Sequence, residues 1–160
     1  MSLTGTLSAL NAASVDYVVV GGVAATALGS ARITFDVDIC YDPHPDNRAR
    51  LVSVLNGWHA YLRGVEPGLP FTLDDRMLRN APVLTLVTSE GDLDVMDRVA
   101  GVGDFAAVRA ASEAASMFDI PVRILTLDAL IAAKRATGRQ KDREALMELE
   151  ALRELRRGNP

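Results

Sequence analysis

Apolar residues at the start of the chain recur first at helical and then at extended spacing. Leu3, Leu7 and Leu10 lie four and three residues apart, which predicts a short amphipathic helix before residue 14. Residues 15–20 are rich in β-branched side chains and stop at two glycines, a pattern typical of a buried strand. Residues 23–28 are mostly small or apolar and predict a helix that ends near residue 29.

The next predicted strand, residues 34–41, alternates between apolar and acidic side chains. Three apolar residues are predicted on its buried face: Phe35, Val37 and Ile39. Two aspartates, Asp36 and Asp38, fall on the opposite face. The alternation therefore predicts a half-buried strand that carries carboxylates on its polar side and an apolar frame behind them.

Turn and capping residues define the next elements. Asp46 is placed to cap a helix that runs to about residue 56, whereas residues 57–80 show no clear pattern. Residues 83–88 and 93–96 flank Ser-Glu-Gly-Asp, which predicts a hairpin. Asp104 is placed to cap a helix that runs to about residue 111.

The last third of the chain is predicted to be one strand followed by two helices. Residues 121–125 predict an edge strand. Its first residue is proline, which has no backbone N–H, and no hydrogen-bond donor is required at that position. Thr126 is placed to cap a helix that runs to about residue 137 and ends at Gly138. A final helix is predicted over 140–156.

The order of these elements predicts an α/β (α+β) fold, a small mixed sheet of three to five strands that is partly antiparallel and flanked by helices. The chain shows no internal repeat and no linker long enough to separate two domains. We therefore expect residues 1–160 to form a single domain, with residues 126–157 packed on it as a C-terminal helical hairpin.

The composition is that of an ordinary globular protein, with 49% apolar and 24% charged residues. Only 5% of the residues are aromatic, which argues against base-stacking platforms for single strands as the main device. Cys40 is the single cysteine, so the sequence predicts neither disulfides nor a cysteine-rich zinc cluster. No signal peptide is recognised, and the longest weakly polar stretch, 18–29, is too short to cross a bilayer. We expect a cytoplasmic protein without a membrane partner.

Charge is distributed unevenly along the chain. Residues 1–122 contain 8 Lys/Arg and 15 Asp/Glu, a net charge of −7, whereas residues 123–160 contain 9 and 6, a net charge of +3. A basic end beside an acidic body could attract a phosphate-bearing partner while the body binds cations. A solvated, charged pair of helices would produce the same numbers, so both interpretations stay open.

Asp36 and Asp38 are the sharpest chemical signal. Residues two apart on a strand point the same way, so the two carboxylates are predicted side by side, where they need a shared proton or a cation. Asp94 lies in a second predicted strand, with Asp92 at the same parity, and a third carboxylate is what a two-metal phosphoryl-transfer site needs. The alternative is an ordinary polar strand face with surface aspartates.

Residues next to the acidic pair suggest phosphate contacts. Gly21 and Gly22 lie between a strand end and a helix start, where glycine lets the backbone approach a phosphate. Arg32 could clamp a phosphate, and Thr34, at the same strand parity as Asp36, could bond beside a metal. For both, the alternative is a surface arginine and a strand-start hydroxyl.

Lys134 falls on the apolar face of its predicted helix, where a lysine is rarely buried without a partner. One interpretation is an ion pair with Asp142 that joins the last two helices. The other is that Lys134 reaches a nucleotide triphosphate, and the two are compatible.

Three segments then carry a family resemblance: Val-Val-Gly-Gly-Val-Ala-Ala (19–25), Arg-Ile-Thr-Phe-Asp-Val-Asp-Ile (32–39) and Leu-Asp-Val (93–95). Together they resemble the minimal nucleotidyltransferases of the DNA polymerase β-like superfamily. Residues 127–142 resemble the C-terminal signature of the group related to abortive-infection nucleotidyltransferase toxins. One departure is Gly22, where many members of the superfamily carry serine, so only backbone contacts remain at that point.

The resemblance implies transfer of a nucleoside monophosphate from an NTP to an acceptor hydroxyl or phosphate. It implies two Mg²⁺ ions held by Asp36 and Asp38, with Asp94 completing one ion site and acting as base. Gly21, Gly22 and Lys134 would hold the triphosphate.

The acceptor stays open between RNA, protein and a small molecule, as does a role as a toxin–antitoxin component with a cognate antitoxin or partner protein. The alternative function is a catalytically inactive nucleotidyltransferase-like regulatory or partner-binding module.

Overall fold

A seven-stranded mixed β-sheet is the centre of the fold in the computed structural model, which describes residues 2–158. The strands are β1 (Tyr17–Val20), β2 (Asp36–Tyr41), β3 (Tyr61–Leu62), β4 (Val83–Thr88), β5 (Gly91–Met96), β6 (Arg98–Val99), β7 (Gly103–Asp104), β8 (Ser112–Met117) and β9 (Ile120–Leu125). The helices are α1 (Leu3–Ala12), α2 (Gly21–Ala27), α3 (Pro45–Gly57), α4 (Asp75–Asn80), α5 (Phe105–Ala110), α6 (Leu127–Thr137) and α7 (Gln140–Gly158). None of these helices is long and apolar enough to span a membrane.

The strand order is β3-β4-β5-β2-β1-β9-β8, and β6 and β7 form a separate two-stranded sheet. Strand β1, which lies between β2 and β9, is buried along its whole length. It pairs antiparallel with β2, and β2 in turn pairs parallel with β5. The β2–β5 register sets Asp36 opposite Asp92 and Asp38 opposite Asp94. The polar faces of two strands that are distant in sequence therefore meet at one place.

The local signals confirm most of the predicted elements. The predicted hairpin is β4–β5, paired from Val83↔Met96 to Thr88↔Gly91. Asp104 and Thr126 cap their helices through side chains that accept backbone N–H hydrogen bonds, and Gly138 ends α6 at a φ of +62°. The predicted fold class is confirmed as well, since a mixed sheet is flanked by helices and followed by a C-terminal helix pair.

The sheet is wider than the three to five strands predicted. The two strands that were not predicted, β3 and β8, form the two edges of the sheet. Strand β9 is consequently not an edge strand, because β8 covers its outer side. Pro121 is tolerated there because β9 meets β1 at Ile124, so the proline lies beyond the end of the short strand β1.

Two local predictions were wrong. Helix α3 is capped by His44, whose Nδ1 accepts a hydrogen bond from the Asp46 backbone N–H at 3.2 Å, so Asp46 lies inside the first turn. Phe35 precedes β2 and is 78% exposed, whereas Val37 and Ile39 are buried as predicted. Side chains alternate between the two faces of a sheet only within a strand. Strand β2 begins one residue after Phe35, so the alternation does not determine the burial of Phe35.

The C-terminal helices are joined to the sheet through the connection between α2 and β2. Arg156 on α7 donates to the Leu28 carbonyl oxygen, and Glu148 accepts hydrogen bonds from Ser30 and from the Ala31 backbone. The α7 helix therefore holds the segment that leads into Asp36. The single-domain organisation and the boundaries 126–157 stay predictions.

Candidate active site

Three aspartates from the two parallel neighbours β2 and β5 form an acidic group. One carboxylate oxygen each from Asp36, Asp38 and Asp94 lies within 4.8 Å of the other two. All three side chains are partly buried, and the two strands that carry them are interior strands of the sheet. The structure therefore brings the predicted acidic residues together, and it does so through the β2–β5 register.

The electrostatics of this group are unfavourable for three ionised carboxylates. Burial, followed by the charges of Asp94 and Asp36, raises the pKa of Asp38 to about 7. Burial also raises the pKa of Asp94, although the Arg63 guanidinium opposes the shift. Within residues 2–158, no cationic side chain forms an ion pair with Asp38. Asp94 alone of the three pairs with a cationic side chain of the described residues, Arg63. Closely spaced carboxylate oxygens that are only partly balanced by positive charge fit the donor set that Mg²⁺ prefers.

Gly21 lies directly against the acidic group. Its φ is +64°, and a Cβ at this position would lie 2.3 Å from Asp38 Oδ2. At Gly22 a Cβ would lie 3.0 Å from the Thr34 hydroxyl oxygen. Gly21 is thus required by its positive φ and by the close approach of the first turn of α2 to β2, whereas a side chain at Gly22 would only require Thr34 to shift. The contact of both glycines with phosphate stays a prediction.

Thr34 contacts the acidic group, whereas Arg32 pairs with glutamates of α7. The Thr34 hydroxyl donates to Asp36 Oδ1 at 3.1 Å, which orients that carboxylate. The Arg32 Nε donates to Glu148 Oε2 at 2.9 Å, and Nη2 lies 3.5 Å from Glu144 Oε2. Arg32 therefore ties the α2–β2 connection to α7, and its predicted role as a phosphate clamp stays a prediction.

Lys134 forms the ion pair that was one of its two interpretations. Its Nζ donates to Asp142 Oδ1 at 3.1 Å, across the α6–α7 junction. Lys134 is also close enough to Asp38 that its charge lowers the pKa of that carboxyl group, against the larger effect of burial. Lys134 is therefore paired at the helix junction and also acts electrostatically on Asp38, and binding of a triphosphate by Lys134 stays a prediction.

Arg63 is a component of the site that the sequence interpretation missed. Its Nη2 donates to Asp94 Oδ1 at 2.9 Å and to the Leu86 carbonyl oxygen at 3.1 Å, and its Nε lies 3.4 Å from Asp92 Oδ2. Arg63 follows directly on β3, a strand of two residues within the segment that showed no pattern. Its only sequence signal is that it follows a tyrosine and a leucine, a run too short to predict a strand.

No protein-family model matches the chain, and no curated protein matches it. Solved structures do resemble it. The lincosamide antibiotic adenylyltransferase LnuA, bound to lincomycin, superposes with a TM-score of 0.62 at 15% identity, over 94% of this chain and 95% of LnuA. The solution structure of the antibiotic-resistance factor ANT(2'')-Ia superposes with a TM-score of 0.58 at 16% identity, over 99% of this chain and 94% of ANT(2'')-Ia. TM1012 from Thermotoga maritima, a candidate nucleotidyltransferase, superposes with a TM-score of 0.54 at 14% identity, over 92% of this chain and 93% of TM1012.

These three chains are distant in sequence, and each is matched over nearly its whole length. A likeness at this level of identity concerns the path of the backbone. The resemblance to minimal nucleotidyltransferases is thereby confirmed at the level of the fold, whereas the relation to toxins rests on the sequence alone. The chain has the nucleotidyltransferase fold.

Proposed function

We propose that the protein is a divalent-cation-dependent nucleotidyltransferase that moves a nucleoside monophosphate from an NTP to a hydroxyl or phosphate group of a small-molecule acceptor. One observation carries the proposal: in a nucleotidyltransferase fold, Asp36, Asp38 and Asp94 bring carboxylate oxygens within 4.8 Å of one another. No cationic side chain of residues 2–158 pairs with Asp38, so the group retains charge for an external cation.

Two Mg²⁺ ions would be held by Asp36, Asp38 and Asp94. Bound Mg²⁺ would supply neutralisation of the charge that develops on the triphosphate and on the attacking oxygen. Asp94 would accept the proton of the attacking hydroxyl at the carboxylate oxygen that Arg63 leaves free. Thr34 would keep the Asp36 carboxylate oriented, because its hydroxyl already donates to that group. Most of the catalysis would then come from positioning and electrostatics.

The triphosphate would lie between the start of α2 and Lys134. Gly21 and Gly22 leave the backbone beside Asp38 free of side chains, so a phosphate can approach closely. Lys134 would contribute positive charge to the triphosphate, and its effect on the pKa of Asp38 supports this role. Its pairing with Asp142 would fix the ammonium group in position.

The neighbouring structures favour a small-molecule acceptor. One of them is LnuA with lincomycin, and another is ANT(2'')-Ia in complex with adenylyl-2''-tobramycin, which matches at a TM-score of 0.56 and 16% identity over 95% of this chain and 92% of its own. Both are matched over nearly their whole length, so neither has a large additional domain to hold its acceptor. An RNA or protein acceptor, and a toxin–antitoxin role with an antitoxin partner, are supported by the sequence resemblance only.

The test is a transfer assay with separate acceptor pools. The protein is incubated with Mg²⁺, each labelled NTP in turn, and either a set of hydroxyl-bearing antibiotics, an RNA pool or a protein pool. We expect pyrophosphate release and label transfer in the antibiotic pool, beginning with ATP. Both should be lost in Asp36→Asn and retained in Asp128→Asn, which alters an exposed aspartate on α6.

Label transfer to the RNA or protein pool alone would contradict the small-molecule assignment. The absence of Mg²⁺-dependent nucleotide binding by the parent would contradict the enzymatic proposal altogether, in favour of an inactive partner-binding module.

A further inference from the structure

Arg63 lies at the end of a row of paired residues that crosses the sheet to the acidic group. Its backbone N–H donates to the Thr85 carbonyl oxygen at 2.9 Å. Thr85 is the register partner of Asp94, and Asp94 is the register partner of Asp38. The backbone therefore places Arg63 two strands away from Asp94, with only Thr85 between them. The Arg63 side chain reaches across β4 to the face that carries the acidic group.

The contacts of the Arg63 guanidinium are divided between two carboxylates. Nη2 donates to Asp94 Oδ1 at 2.9 Å, and Nε lies 3.4 Å from Asp92 Oδ2. The Nε atom is buried and forms no hydrogen bond, which is costly for a charged donor. The guanidinium therefore holds Asp94 through a hydrogen bond and Asp92 only through the longer ion pair. Its charge lies beside the carboxylates to which a cation would bind.

We propose that Arg63 is a positioning residue of the acidic site, an inference that rests on the proposed function. By holding Oδ1 of Asp94, it directs the other carboxylate oxygen of Asp94 to the cation and to the proton of the acceptor. Its positive charge also lowers the affinity of the nucleotide-free site for divalent cations. Cations then bind fully only when the triphosphate brings its own negative charge, so that loading of the metal is coupled to binding of the nucleotide.

The test separates metal affinity from turnover. Mn²⁺ binding to the nucleotide-free protein is measured by calorimetry, and kcat and KM are measured in the transfer assay. Arg63→Met keeps most of the aliphatic stem and removes the charge. We expect this variant to bind Mn²⁺ about tenfold more tightly or better, because a repulsive charge next to the site is gone, while kcat falls at least about tenfold. General damage to the site would weaken both.

Two further variants complete the design. Arg63→Lys retains the charge but cannot contact Asp92, Asp94 and the Leu86 carbonyl together, so Mn²⁺ affinity should stay within about threefold of the parent while kcat falls. Arg79→Met removes an exposed arginine of α4 that pairs with Asp75, and should change neither quantity.

Unchanged or weaker Mn²⁺ binding by a folded Arg63→Met protein would overturn the inference. If that variant does not fold, a kcat of Arg63→Lys equal to that of the parent would overturn it. A parent protein without transfer activity would instead refute the proposed function, and the Mn²⁺ affinities would still decide the effect of the Arg63 charge.

Discussion

Two aspartates are withdrawn from solvent in this protein, and their surroundings are opposite. Asp142 at the α6–α7 junction is 4% exposed and accepts hydrogen bonds from three side chains: Lys134 at 3.1 Å, Thr137 at 3.0 Å and Arg139 at 2.9 Å. Asp38 on β2 has carboxylate oxygens of Asp36 and Asp94 within 4.8 Å, and no ion pair with any residue in the range 2–158.

The pKa values of the two groups shift in opposite directions for this reason. Burial acts against ionisation of both, but the hydrogen bonds to Asp142 outweigh it and hold the pKa of Asp142 below its ordinary value. At Asp38 the neighbouring carboxylates add to burial, and the pKa rises to about 7. The charge of Asp142 is therefore balanced by partners within the protein, whereas the charge of Asp38 needs a shared proton or an external cation.

The largest expected effect is on catalysis and concerns Asp38 alone. Asp38→Asn removes a charged ligand of the proposed ions and should lower kcat/KM at least ~100-fold, which corresponds to about 3 kcal/mol of transition-state stabilisation. Asp142→Asn should retain more of the activity at a temperature where it remains folded. The measurement is the rate of pyrophosphate release with saturating Mg²⁺. An Asp38→Asn rate within tenfold of the parent would remove the distinction between the two aspartates.

The next effect is on stability and concerns Asp142. Asp142→Asn leaves Lys134 without its buried partner and should lower the free energy of unfolding by about 3 kcal/mol in urea titrations at pH 7. The pKa of Asp142 is lowered on folding, so its contribution is present above the unfolded pKa and is lost as the pH falls through the folded value. The difference between parent and variant should therefore shrink in acid. An equal difference at every pH would show that the charge of Asp142 is not its source.

When a chelator removes divalent cations, substitution of Asp38 is expected to change the free energy of unfolding by a smaller amount and in the opposite direction. Folding raises the pKa of Asp38 from 3.8 to about 7, so its stabilising contribution is full below pH 4 and is lost as the pH rises through 7. At pH 8 without divalent cations, Asp38→Asn should be more stable than the parent by about 2 kcal/mol, and at pH 4 the two should converge. Urea titrations at the two pH values measure this. A parent that is as stable as the variant at pH 8 would contradict the raised pKa.

The smallest effect concerns Arg32, which the structure pairs with Glu148 on α7. Arg32→Met should lower the free energy of unfolding by less than about 1 kcal/mol, because the pair is partly exposed to solvent. The KM for NTP should change less than about threefold, with Glu148→Gln as the matched variant on the other side of the pair. A tenfold rise in KM for Arg32→Met alone would instead support the phosphate clamp predicted from the sequence.

Local chemistry accounts for the parts of the fold that could be predicted. The alternation around Asp36 and Asp38, the caps at Asp104 and Thr126 and the stop at Gly138 are each encoded within a few residues, and the structure shows all of them. The pairing of Lys134 with Asp142 was likewise suggested by helical spacing alone.

The remaining features depend on contacts between segments that are distant in sequence. The β2–β5 pairing is parallel, and residue spacing does not determine which strands become neighbours. Strand β8 is composed mainly of serine and alanine, so it becomes a strand through its pairing with β9 and not through intrinsic propensity. Arg63 reaches the acidic group only because β3 is the last strand beyond β4. Register and strand order therefore decide the composition of the site.

The proposed cation site is tested most directly by locating Mn²⁺ through anomalous diffraction in crystals of the protein with a non-hydrolysable ATP analogue. We expect anomalous peaks bound by carboxylate oxygens of Asp36, Asp38 and Asp94, with the triphosphate beside Gly21. Peaks elsewhere, or a bound nucleotide with no ion at these three aspartates, would contradict it.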